Sequence, residues 1–173
     1  MKLNSLGYSK GIILAFVIGF FVRLIPELLS FPYPIGWDTI YYASRIGSGV
    51  VFSVGSDLVN SWLVYGILVA LGKVTQADPF MMLKVFASLL YGGTCAGMYF
   101  VAWKRFNWGV TKCLLVAGLF AFQLASLAVS WQFYRNVFGI MILLFALPLI
   151  RRNVGWKGFG CFVGVGVVDC VGS

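Results

Sequence analysis

Reactive side chains are scarce in this chain: it has no histidine and only five acidic residues. One of those acids, Asp38, stands in the run Tyr33-Pro34-Ile35-Gly36-Trp37-Asp38-Thr39-Ile40-Tyr41-Tyr42-Ala43-Ser44-Arg45-Ile46. Pro34 and Gly36 mark a turn, and Asp38 or Thr39 then falls where a helix N-cap would sit. From such a start, offsets of three, four and seven residues place Asp38, Tyr41, Tyr42 and Arg45 on one helical stripe. The stripe offers a carboxylate, two phenols and a guanidinium. A carboxylate in that setting acts as a general base toward a hydroxyl or an amine. An Arg one to two turns away holds a phosphate bidentately. The same letters also serve a plainer purpose, Asp38 as a cap, Arg45 as a surface charge, and Trp and Tyr as anchors at a membrane interface.

A second group of polar residues lies in Ser130-Trp131-Gln132-Phe133-Tyr134-Arg135-Asn136, just ahead of an apolar stretch. Arg135 there either contacts a phosphate or reaches outward as a helix-end charge. Arg23 and Glu27 are four apart with Pro26 between them, a spacing that allows an ion pair inside an apolar run. A role in guiding a lipid donor is the alternative. Lys84 reads as a snorkelling anchor, and Gly92, Gly93 and Gly97 as points of close helix approach. Without histidine there is no Ser-His-Asp triad, Cys-His pair or His-ligated metal. Cys95, Cys113, Cys161 and Cys170 form no CxxC pair and read as reduced packing thiols. No P-loop, GxSxG, GxGxxG or repeat is present.

The elements that carry these residues are membrane helices. Of 173 residues, 61% are hydrophobic and 10% charged, against roughly 45–50% and about 25% in a soluble domain. Such a composition excludes a soluble globule. The net charge of +8 is scattered between apolar runs, a pattern of membrane topology and not of nucleic-acid binding. The expected spans are 11–29, 79–102, 110–129 and 131–150, each close to the length a bilayer core requires. Residues 58–71 contain an uninterrupted apolar stretch of about ten residues, half a crossing at the helical rise, so they are expected as an interfacial or re-entrant helix.

Basic residues choose between the topologies. If 58–71 does not cross, Lys2, Lys10, Lys104, Arg105, Lys112, Arg151, Arg152 and Lys157 are cytoplasmic, and Arg45, Lys73 and Arg135 are outside. If it crosses, the densest basic loops are forced outside, against the positive-inside rule. The expectation is therefore an all-α, multi-pass transmembrane bundle over residues 1–152, with a cytoplasmic N-terminus and a plasma-membrane location. Its long outer first loop contains short interfacial helices. Residues 153–173 are Gly-rich and read as an uncertain tail or a weak fifth span.

A first span, then Gly36-Trp37-Asp38, aromatics, an Arg and a short interfacial helix, then 130–136 before a later helix, resembles the C-type membrane glycosyltransferases. That superfamily includes protein mannosyltransferases and oligosaccharyltransferase catalytic subunits. The resemblance covers roughly residues 11–150 and is carried by short motifs. It implies transfer of a sugar from a polyprenyl-phosphate donor to a lipid, glycan or protein acceptor on the extracytoplasmic face. By the same resemblance Asp38 is the catalytic carboxylate, and Arg45, Arg135, Tyr41 and Tyr42 bind substrate. Metal-dependent members have a second acidic motif in the later outer turn; residues 131–136 contain no acid, so a metal-independent reaction without cofactor is expected. Relatives are generally longer, so the chain reads as the N-terminal portion of such an enzyme. The other reading is a non-catalytic membrane scaffold or transporter-like subunit.

Overall fold

The computed structural model describes residues 7–32, 35–36, 38–49 and 62–149. Its helices are α1 (Tyr8–Leu29), α2 (Asp38–Ser48), α3 (Trp62–Thr75), α4 (Pro79–Phe106), α5 (Val110–Phe122), α6 (Leu124–Gln132) and α7 (Tyr134–Ala146). A 3-10 turn, Leu147–Leu149, follows. No strand occurs among the described residues. The expected tail at 153–173 and the first part of the 58–71 helix lie outside them.

Helix α4 is the axis of the molecule, and its ends are written in its sequence. The Asp78 carboxylate accepts the Phe80 and Met81 amides at 3.0 and 3.1 Å, with Pro79 in the first turn, where no amide is needed. At the other end Asn107 adopts the left-handed conformation (φ 52°) and turns the chain back onto the Ala102 carbonyl. Twenty-eight residues span about 42 Å.

Helix α1 runs antiparallel along α4. The crossing is close because Gly92 has no side chain: a Cβ there would lie 2.8 Å from the Phe16 carbonyl oxygen. On the other side of α4, Gly93 and Gly97 leave room for Met141 and Leu144 of α7. Three apolar clusters succeed one another along α4. Leu83 and Ala87 pack with α2, α3 and Tyr134; Tyr91 and Cys95 with Ala121 and Leu127; Tyr99 and Ala102 with Ala15, Cys113 and Ala117. Cys95 and Cys113 are thus buried free thiols.

Among the described residues, two helices are long and apolar enough to cross a membrane, α1 with mean hydropathy 2.3 and α4 with 1.4. The less hydropathic one is the more buried, 67% against 22%. Surrounded by other helices, α4 carries the Tyr, Ser, Thr and Gly residues that contact them, while α1 turns most of its apolar surface outward.

The third and fourth expected spans take a different form. Run 110–129 is not straight: α5 and α6 meet at 59°, with Gln123 in extended conformation between them. The break is stable because hydroxyls replace the lost helix bonds. Tyr91 donates to the Phe120 and Ala121 carbonyls (3.1 and 3.0 Å), and Ser126 lies 2.8 Å from the Phe120 carbonyl. Counted as one bent crossing, α5 and α6 bring the candidates to three. Run 131–150 is interrupted at Phe133, and α7 has 13 residues, about 20 Å. Pro148, lacking an amide proton, falls in the 3-10 turn that follows it. Helix α3, with 14 residues, covers about 21 Å, short of a ~30 Å core. It packs on α2 and the start of α4.

Candidate functional site

Helix α2 begins at Asp38, whose negative charge in the first turn complements the helix dipole. Thr39, Tyr42, Ala43 and Ile46 are its buried face, at the offsets of one helical stripe. Asp38 and Tyr41 are exposed and Arg45 is half-buried. The expected common stripe therefore divides: Tyr42 turns inward, and Asp38, Tyr41 and Arg45 stay together on the open side. The reason is packing, since Tyr42 stacks on Tyr65 of α3 (5.5 Å between ring centres) and meets Tyr134 edge-on (5.0 Å).

The α2 start is tied to the corner between α6 and α7. Thr39 donates to the Ile35 carbonyl and shares a hydrogen bond with the Tyr134 hydroxyl, both at 2.8 Å. Gly36, at φ 98°, lies so close to the Trp131 carbonyl that no Cβ would fit. Arg135, exposed in the first turn of α7, lies close enough to Tyr42 for its guanidinium to favour ionisation of that hydroxyl. Arg45 lies over the rings of both Tyr41 (5.5 Å) and Tyr65 (5.1 Å). Asp38, Tyr41, Tyr42, Arg45 and Arg135 are thereby gathered at one end of the bundle. Trp37 and Tyr33 lie outside the described residues.

Burial raises the pKa of both inner phenols, because a phenolate would be poorly solvated there. Tyr42 is pushed up by desolvation, against the pull of the Arg135 guanidinium. Tyr65 is pushed up to about 12 by desolvation and the neighbouring Tyr42, against a hydrogen bond from Arg45. Both therefore act at neutral pH as uncharged rings and hydroxyls.

A buried polar cluster braces the corner from below. Arg23 (0% exposed) donates to Glu27 (1%) at 2.6 Å and to the Ser130 carbonyl at 3.5 Å. Its guanidinium lies 5.8 Å from the centre of the Trp131 ring. Ser130 is in the last turn of α6, where the break leaves carbonyls without helix partners. Lys84 corrects the expectation of a snorkelling anchor. It is 4% exposed and donates to the Glu27 carbonyl at 3.0 Å, with Glu27 Oε2 at 4.0 Å. The carboxylate draws the ammonium inward.

Sequence reasoning did not find Tyr65, Thr39 or Tyr134 as parts of this corner. Tyr134 sits beside Arg135 in the quoted run and so carried a local signal. Tyr65 carried none, because the groups it meets, Tyr42 and Arg45, belong to a different helix. The corner is an open surface; the apolar grooves between α3 and α4 and along α5 do not border Asp38. No known protein family, curated protein or solved structure matches this chain.

Proposed function

We propose that this chain carries the acceptor-activating corner of a membrane glycosyltransferase that uses a polyprenyl-phosphate-linked sugar on the extracytoplasmic face. The observation that carries the reading is the company Asp38 keeps. It is an exposed carboxylate at the start of α2, with Tyr41 and Arg45 on its own helix and Arg135 close to Tyr42 of that helix. In the proposed step, Asp38 takes the proton of an acceptor hydroxyl or amine as that atom bonds to the anomeric carbon. The bond from that carbon to the lipid phosphate breaks, and the phosphate leaves with the electron pair. Arg45 or Arg135 stabilises the charge that develops on it. No metal or cofactor enters this step, and the acceptor is a lipid, a glycan or a protein.

The test uses membranes containing the chain, a panel of radiolabelled polyprenyl-phosphate hexoses and a cell-envelope acceptor fraction. Asp38→Asn keeps size and helix-start character but removes basicity. It is expected to lower transfer by about 10²- to 10⁴-fold at unchanged protein level; full retention of the rate overturns the assignment. A transporter-like role draws its support from the break at Gln123, since broken helices line transport paths. The freed carbonyls there are hydrogen-bonded to Tyr91 and Ser126 and offer no open path, so this reading ranks second.

A further inference from the structure

The end of the molecule remote from Asp38 has a separate character. Tyr8 stacks on Trp103 (4.7 Å), which brings the start of α1 beside the end of α4. Lys10, Lys104, Arg105 and Lys112 are all exposed there. Lys104 lies 4.2 Å from the centre of the Trp103 ring. Phe106 and Trp108, whose rings are 5.3 Å apart, are exposed beside them. The acids among the described residues, Glu27, Asp38 and Asp78, all belong to the opposite end. At about 42 Å, α4 exceeds a ~30 Å hydrocarbon core and carries its last turn into the headgroup layer. The basic side chains thus meet lipid phosphates, and the aromatic ones the interface.

A groove leads away from these charges. It is apolar, about 360 Å³, and runs along α5 past Thr111, Leu115, Gly118, Leu119 and Phe122. It begins at the residue before Lys112 and ends at the bend. At the helical rise that is about 16 Å, close to the depth of one leaflet's hydrocarbon. A Cβ on Gly118 would meet nothing within 4 Å, so the groove is open at its middle.

From these two observations we infer that the α4–α5 end is a binding site for one anionic phospholipid. Its headgroup lies among Lys104, Arg105 and Lys112, and one acyl chain lies in the α5 groove. Charge selects the headgroup, and the groove holds the chain at a fixed place on the protein. This site is independent of the glycosyltransferase reading, and neither stands on the other.

The experiment is native mass spectrometry of the purified chain in detergent with equal amounts of phosphatidylglycerol and phosphatidylcholine of matched acyl chains. Each basic side chain near the headgroups is worth about fivefold in attraction, so a preference for phosphatidylglycerol of at least about tenfold is expected. Lys104→Gln/Arg105→Gln/Lys112→Gln removes the preference, while Lys104→Arg/Lys112→Arg keeps it. Gly118→Leu fills the groove with every charge in place and lowers retention of phosphatidylglycerol. Lys73→Gln, at the other end, changes nothing. Equal retention of the two lipids by the unaltered chain overturns the proposal. So does phosphatidylglycerol retention that survives either the triple Gln substitution or Gly118→Leu.

Discussion

Tyr65 sits between Tyr42 and Arg45, and its hydroxyl is the group at this corner most displaced in ionisation. With a folded-state value near 12 and an unfolded one near 10, the folded protein binds the proton more tightly. Its contribution to stability is full below about pH 10 and is lost as pH rises toward 12. Spectrophotometric titration of phenolate, unaltered chain against Tyr65→Phe, should show the missing tyrosine as one that ionises near pH 12. The buried cluster gives a second prediction at this scale. Arg23→Met leaves the Glu27 carboxylate without its 2.6 Å partner and is expected to cost about 3–5 kcal/mol. Arg23→Met/Glu27→Met should recover much of that loss in thermal unfolding in detergent. The Arg23–Glu27 pair was legible from a spacing of four on one helix. Lys84 was not, because it comes from 57 residues further along the chain, and only the α1–α4 crossing brings it to Glu27.

Helices α5 and α6 read as one continuous apolar run, since Gln123 is the only strongly polar side chain near their junction and nothing there resembles a breaker. Hydropathy reports solvent preference and not backbone continuity, so it gave no sign of the 59° bend. The bend depends on Tyr91, which belongs to α4 and supplies a hydroxyl to the exposed carbonyls. Tyr91→Phe keeps the ring and its stacking on Phe120 but leaves the Ala121 carbonyl unsatisfied in an apolar setting. A loss of about 1–3 kcal/mol is expected, together with faster amide exchange in α6 than in α4. By contrast, the start of α4 was set locally: Asp78-Pro79 caps it with bonds that span three residues at most. Elements whose ends are made by near neighbours are readable; those made by another helix are not.

At the scale of the whole molecule, the Asp38 corner and the Lys104 end lie at opposite ends of a helix about 42 Å long. Single-cysteine labelling of intact cells, in a background free of Cys95, Cys113, Cys161 and Cys170, checks this directly. Asp38→Cys and Arg135→Cys should react with an impermeant maleimide from outside, and Lys104→Cys only after permeabilisation. Reaction of the first two from different compartments would separate the groups on which the proposed chemistry relies. Composition and run length alone determined that this chain is helical and built for a membrane, because burying so many apolar side chains in a chain with so few charges leaves no aqueous alternative. The same local logic placed Asp38 at a helix start and paired Arg23 with Glu27. Only the tertiary structure decided that Tyr42 faces inward onto Tyr65, that Lys84 turns to Glu27, and that Arg135 meets α2. Those outcomes depend on which helices cross at glycine-lined contacts and which hydroxyls reach the breaks, and contacts between residues far apart in sequence leave no periodic trace within either segment.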